Sequence, residues 1–293
     1  MANLSINQTA AKNSNNVNRF ISHNTPKCIR LNYNTINKNH IHSFNNPSND
    51  HCNINKFSTL HQNKCGISKK IYELLNSLPP NAPQSICSTE HHLRAEEISN
   101  INLSQFILEA TFCRQTYSHG SVCIFVSKNI HFSTINLDQY NKEKEFEICA
   151  LKLHILSNSF TIMCIYRSPT GNIPYFVYQL ELIQNKIYIT STKIIVCGDH
   201  NINYFNDNSK KHLSDLLLAS FKLFSTVKFP TRISNNSCTL IDNIYINTYR
   251  HEFSVHPLFN GLSDHDTQII TFTKILISVP RHVFSFTRKI NNN

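Results

Sequence analysis

Several patterns are missing from this chain, and each absence removes a class of function. No charged segment leading into an apolar run and a small-residue cleavage site opens it, so the protein is expected to stay inside the cell rather than be secreted. Its apolar stretches are too short and too interrupted to span a bilayer. The ten cysteines form no C-x-x-C pair, and most sit in apolar runs such as Val122-Cys123-Ile124, Ile148-Cys149-Ala150 and Met163-Cys164-Ile165. Reduced core thiols are therefore expected, not disulfides or a zinc knuckle. The sixteen histidines include no His-x-x-x-His pair with a third ligand, and His91-His92 alternates faces on an extended segment, which argues against zinc. Ser263-Asp264-His265 is no hydrolase triad, because contiguous residues cannot all converge on one substrate atom. No repeat period is visible.

Acidic residues are also scarce. Lys and Arg number 28 against 18 Asp and Glu, a formal charge of +10. That excess favours a polyanionic partner, nucleic acid before membrane, although a drift toward Asn, Ile and Lys would raise the charge equally well. At 293 residues and 40% hydrophobic content the chain can bury one large core or two ordinary ones. Residues 1–55 are dominated by Asn, Ser, His and Lys without a sustained period of 2 or 3.6, and are expected to form a disordered tail. The foldable region is expected over 56–278, with a second tail at 279–293.

Within that region strand-like and helix-like segments alternate. Strands are predicted at Phe57–Gln62, Ser85–Thr89, Phe106–Phe112, Ser121–Val126, Phe146–Leu156 and Phe160–Tyr166, the last two as a hairpin. Further extended pieces are predicted at Lys193–Cys197, Leu223–Val227, Leu240–Ile246, Phe253–Val255 and Thr267–Ile277. Helices are predicted over Ser68–Leu78, stopped by Pro79-Pro80, from Pro174 to about Ile187, and over Lys211–Phe221. Hairpins mixed with crossovers indicate a mixed sheet or two packed sheets flanked by helices.

Polar residues gather where these strands end. The aliphatic run Ile194-Ile195-Val196-Cys197 empties into Gly198-Asp199-His200-Asn201, and Asp199 and Asn201, two residues apart on an extended segment, point the same way. Gln62-Asn63, Thr89-Glu90-His91 and Tyr166-Arg167-Ser168-Pro169 end other strands, and Ser263-Asp264-His265 precedes the last. Each alone also suits turn chemistry, a helix N-terminal acid or a half-buried aromatic. Five coincident placements point instead to one cleft.

The ordered motifs His61-Gln62-Asn63, Thr89-Glu90-His91-His92, Tyr166-Arg167-Ser168-Pro169, Gly198-Asp199-His200-Asn201, Pro230-Thr231-Arg232, Thr239-Leu240-Ile241-Asp242 and Ser263-Asp264-His265 resemble the endonuclease/exonuclease/phosphatase superfamily. Within it they are most similar to the apurinic-like endonuclease domain of jockey-type non-LTR retrotransposons. The resemblance covers about Phe57 to Ile277. It implies an α/β fold, a four-layer sandwich of two packed mixed β-sheets flanked by helices. It also implies Mg2+, with Mn2+ possible, held by Glu90 and Asn63 with Asp264 nearby, in keeping with the preference of hard cations for oxygen. Asp199 would orient or deprotonate the attacking water, and Asn201 would hold the scissile phosphate. His265, oriented by Asp242, would stabilise charge on a phosphate oxygen, and Tyr166 and Thr231 would contact phosphate.

The implied reaction is a DNA nick with a 3′-hydroxyl, carried out in the nucleus and used to prime a reverse transcriptase. Two residues depart from the pattern: Lys64 and His200 stand where aliphatic or bulky apolar residues are usual, and His200 is placed to tune Asp199. No later Asp-Asp pair of the polymerase kind follows, so the chain is expected to be a fragment of a longer element or a stand-alone derivative, with any reverse transcriptase acting in cis or in trans. An inositol-phosphate phosphatase, a phospholipid phosphodiesterase and an inactive remnant that at most binds nucleic acid are the competing readings.

Overall fold

The computed structural model describes residues 56–273, apart from 69, 102, 156–157, 191–192, 235–236 and 249–251. The two expected tails and the end of the last expected strand lie outside the described residues. The strands are β1 (Phe57–Asn63), β2 (Ser85–Thr89), β3 (Phe106–Phe112), β4 (Val122–Ser127), β5 (His131–Ile135), β6 (Glu147–Ile155) and β7 (Asn158–Tyr166). They continue as β8 (Ile194–Asp199), β9 (Phe224–Ser225), β10 (Arg232–Ser234), β11 (Ser237–Thr239), β12 (Asp242–Ile246), β13 (Phe253–Leu258) and β14 (Thr267–Phe272). The helices are α1 (Ile71–Ser77), α2 (Ala95–Ile98), α3 (Ile173–Thr190) and α4 (Ser209–Ser220).

Two six-stranded sheets form, in the orders β13-β14-β1-β2-β4-β3 and β5-β6-β7-β8-β12-β9. Both are mixed, with one parallel pair each, β1/β2 and β7/β8, among antiparallel neighbours. Alternation along the strands shows why they stack. On β4, Val122, Ile124 and Val126 join the large core between the sheets, while Cys123 and Phe125 join a second core under α1 and α2. Phe57 of β1 likewise faces the other sheet, where it meets Phe160 of β7 with ring centroids 4.8 Å apart, while it stacks on Phe272 of its own sheet's β14 at 5.8 Å. Such aromatic pairs contribute about 0.5–1.5 kcal/mol beyond their buried area. Phe176, Leu180 and Ile183 of α3 and Leu218 of α4 cover the outer face of the second sheet. The four-layer α/β sandwich expected from the sequence is the observed architecture.

Helix ends follow local chemistry. The Asn172 side chain accepts from the Tyr175 amide at 2.8 Å, so α3 starts one residue before Pro174. The Asn208 side chain caps α4 by accepting from the Lys211 amide, two residues earlier than expected. At the end of α1, Leu78 turns extended ahead of Pro79. The elements not foreseen are α2, β5 and the β10/β11 hairpin, all short or polar. Gly198 belongs to β8 because any side chain there would drive its Cβ into the Ile165 carbonyl of β7. Five free cysteines, Cys87, Cys123, Cys149, Cys164 and Cys197, are buried core thiols as expected, but Cys238 is disulfide-bonded.

Candidate active site

Parallel pairing decides which side chains meet. Asn63 stands opposite Thr89 at the shared end of β1 and β2, which places Glu90 one step beyond Asn63's neighbour. In the other sheet Tyr166 stands opposite Asp199, and Asp199 opposite Asp242. Because β1 and β8 face each other across the sandwich, these ends converge on one edge. Asn63 Nδ2 donates to Asp199 Oδ2 at 2.8 Å, joining the sheets directly.

His265, supplied by the loop before β14, donates from Nδ1 to Asp242 Oδ2 at 2.8 Å, the direction dictated by an acceptor-only carboxylate. Both residues are buried. Burial opposes a charged imidazole, but Asp242 outweighs it and raises the His265 pKa to about 9. Asp199 behaves oppositely: burial first, then the like charge of Asp242, push its pKa up to about 8. Its Oδ1 accepts from the Asn201 amide at 2.8 Å. Glu90 is half-buried, which opposes its charge, yet hydrogen bonds from His92, Tyr166 and Cys65 overcome that and hold it at about 2. Burial and Glu90 together push the Tyr166 phenol up, so it remains a donor.

The structure thus brings together Asn63, Glu90, Tyr166, Asp199, Asp242 and His265. The other three sequence candidates sit differently. Asn201, at φ +51, turns its Nδ2 to the Arg167 carbonyl at 2.8 Å, while the Arg167 guanidinium donates to the carbonyls of His200, Ser168, Gly171 and Asn201. Arg167 is fully buried and acts as the clamp of this loop. Thr231 is buried with its hydroxyl accepting from the Ile241 and Asp242 amides at 3.1 Å, which braces the start of β12. Asp264 lies on the rim, paired with Arg232 at 2.7 Å; burial opposes its charge, but Arg232 and His265 together lower its pKa.

His200 does not tune Asp199. One step along the strand it points to the opposite layer, stacking on Tyr245 at 5.6 Å, packing against Phe176 and hydrogen-bonding Tyr204. Burial, then Arg167, lowers its pKa to about 3. Lys64 is likewise turned inward, its ammonium donating to the Lys70 carbonyl at 2.8 Å.

Sequence reasoning passed over Cys65 and His92, which both touch Glu90, and Gln62, whose Nε2 donates to the His265 carbonyl at 3.0 Å. The available signal was adjacency to Asn63 and Glu90. Alternation on a strand gave the wrong expectation for His92, because Glu90 and His92 both adopt left-handed backbone conformations beyond β2, at φ +53 and +60.

Two donor sets suit a cation. Asn63 and Glu90 supply an amide and a carboxylate oxygen, the chemistry that hard cations take. Asp199, Asp242 and His265 place one ligand atom each within 4.8 Å of one another, a buried group that could hold a metal. In that second set His265 Nδ1 and both Asp199 oxygens are already hydrogen-bonded, while Asp242 Oδ1 is buried without a partner. Asn63 Oδ1 and Glu90 Oε2 also accept hydrogen bonds, from Cys65.

No family model matches the chain, and no curated protein matches it. Solved structures do. The endonuclease domain of TRAS1, a telomere-specific non-LTR retrotransposon, is 14% identical, with a TM-score of 0.58 over 74% of this chain and 98% of its own. The AP endonuclease LMAP from Leishmania major is 11% identical, with a TM-score of 0.59 over 74% of this chain and 88% of its own. An endonuclease/exonuclease/phosphatase family protein from Leptotrichia buccalis is 13% identical, with a TM-score of 0.53 over 74% and 99%. At these identities the likeness is one of fold.

Proposed function

We propose that this chain, which has the endonuclease/exonuclease/phosphatase fold, is the DNA-nicking endonuclease of a jockey-type non-LTR retrotransposon. It hydrolyses a DNA phosphodiester with Mg2+, or Mn2+ in its place, leaves a 3′-hydroxyl, and works in the nucleus beside a reverse transcriptase supplied in cis or in trans. The observation that supports it most is the Asp242–His265 pair at 2.8 Å, set against an Asp199 that is hydrogen-bonded to Asn63. The excess of 28 basic over 18 acidic residues suits a phosphate backbone.

A hard cation at Asn63 and Glu90 would supply Lewis-acid polarisation and neutralise phosphate charge. The remaining work belongs to the chain. Asp199, with a pKa of about 8, takes the proton of the attacking water in its ionised form, a fraction that grows as pH rises toward 8. The His265 imidazolium, held at about 9 by Asp242, donates a hydrogen bond toward the phosphate oxygen on which charge develops. Tyr166 donates from its phenol to Glu90, orienting that carboxylate. Asn201 is fixed by the Arg167 clamp at the mouth, where its loop can bear on the scissile phosphate, and Thr231 acts by bracing Asp242.

Incubation of the purified protein with supercoiled plasmid and Mg2+ tests this. Nicked circles should form with the parent, carry extendable 3′ ends, and fall by roughly 10²- to 10⁴-fold with His265→Ala. A folded parent that leaves the plasmid supercoiled would overturn the endonuclease reading.

A further inference from the structure

A second tie between the sheets stands behind the open side of the site. Arg114, just past β3, donates from Nε to Glu147 Oε1 of β6 at 2.7 Å, and its terminal nitrogen lies 2.5 Å from the same oxygen. Their side chains are 5% and 0% exposed. A buried ion pair is weak evidence for stability, because desolvating two charges offsets much of their attraction. The neighbours of this pair say more. Glu147 stands opposite Tyr166 in the β6/β7 register, and the Arg114 guanidinium lies over the Tyr166 ring, 5.6 Å from its centroid. Glu147 Oε2 accepts from the Ser121 amide at 2.6 Å, and the Ser121 carbonyl accepts from the Glu90 amide at 2.9 Å. Gly120, at φ +111, leaves the guanidinium its place, since a Cβ there would stand 2.2 Å from Arg114.

Both members of the pair therefore lead to one carboxylate. Arg114 fixes the ring whose phenol donates to Glu90, and Glu147 grips the residue that holds the Glu90 main chain. That main chain is left-handed, at φ +53, a conformation that persists only where its surroundings enforce it. We propose that Arg114 and Glu147 are positioning residues that hold the Glu90 carboxylate, through Tyr166 and Ser121, in the orientation a hard cation takes. Neither touches the ion or the DNA. This role rests on the reading of Glu90 as a cation ligand. The planar guanidinium matters as much as its charge, since an ammonium on a flexible stem does not hold a ring and a carboxylate at a fixed angle.

Mn2+ binding to the full chain, read from the loss of the free-ion electron paramagnetic resonance signal, needs neither DNA nor turnover. Arg114→Met combined with Glu147→Leu exchanges the pair for apolar groups of similar size. That variant should keep the parent's circular dichroism and melting temperature, yet bind Mn2+ roughly 10- to 100-fold more weakly. Arg114→Lys keeps the charge and should lose about 10-fold. In nicking, the Mg2+ needed for half the maximal rate should rise by the same factor, while the rate at saturating Mg2+ returns to the parent's. A merely structural role would not produce that split. Parent-like Mn2+ affinity in the double variant would overturn the positioning role, and where the double variant does not fold, parent-like affinity in Arg114→Lys would do so. A rate that stays low at saturating Mg2+ would overturn it as well. Glu90→Gln binding Mn2+ as tightly as the parent would sink the cation reading and this role with it. A parent that binds Mn2+ through Glu90 but leaves plasmid supercoiled would sink the endonuclease reading alone.

Discussion

The two halves of the site handle charge in opposite ways. On the closed side, Asp199, Asp242 and His265 are sealed between the sheets, and their crowding raises Asp199 to about 8 and His265 to about 9. On the open side, Glu90 is held at about 2 by donors from three directions, and Asp264 is lowered by Arg232 at the rim. The closed side keeps protons that exposed groups would have lost, and the open side keeps carboxylates ionised. A phosphoryl-transfer site needs both, one to move protons and one to present fixed negative charge to a cation.

Substitution on each side should separate these roles, and the largest effect is expected on the closed one. Asp242→Asn removes the carboxylate that charges and orients His265 and should lower nicking by about 10²- to 10⁴-fold, with no recovery at any Mg2+ concentration. Glu90→Gln should weaken cation affinity by roughly 10- to 100-fold and recover in part as Mg2+ is raised. Equal recovery of both variants would erase the distinction between the sides.

Stability against pH probes the same contrast with a smaller effect. Asp199 has a folded pKa above its usual 3.8, so the folded state binds the extra proton and its contribution is lost as pH rises through about 8. His265, raised above 6.5, contributes fully below that value and loses its contribution as pH rises through about 9. Glu90, depressed below 4.5, contributes above 4.5 and loses its contribution as pH falls through about 2. The denaturant midpoint should therefore decline between pH 6.5 and pH 9. Asp199→Asn should abolish nicking yet raise stability at pH 9 by at least about 1 kcal/mol, since a pKa unit is worth about 1.36 kcal/mol. A variant less stable than the parent at that pH would show that Asp199 is not held under charge stress.

How much of this was legible in the sequence depended on backbone regularity. Asp199 and Tyr166 end regular strands, and the two-residue alternation that places them also places the core, so residue pattern and fold agreed; Asp242, the first residue of β12, was named only through the family resemblance. Glu90 was found by its position after β2, but its neighbours were not, because left-handed turns at Cys65, Glu90 and His92 break the alternation on which face assignment rests. Thr231 and Arg167 show another limit. Their roles include hydrogen bonds to main-chain groups as far as 11 and 34 residues away, and a motif cannot reveal a partner of that kind. The β10/β11 hairpin escaped because Arg232–Ser234 and Ser237–Thr239 are short and bury little.

His200 gives the finest test of the division into sides, and the smallest expected effect. Alternation along β8 turns it toward α3, away from the Asp199 carboxylate, with its ring stacked on Tyr245 and its Nε2 buried without a partner. A buried imidazole with one unsatisfied nitrogen costs about 1–3 kcal/mol relative to a satisfied one, whereas Leu would fill the same layer with no polar atom. His200→Leu forfeits the hydrogen bond to Tyr204 and the ring stack on Tyr245, while the His200 main-chain carbonyl that Arg167 binds is retained. The variant should match or exceed the parent in stability by up to about 1 kcal/mol, and its nicking rate should keep the parent's pH profile. A profile displaced along the pH axis would mean that the layer behind β8 does set the Asp199 proton affinity, and the separation between core and closed side would have to be redrawn.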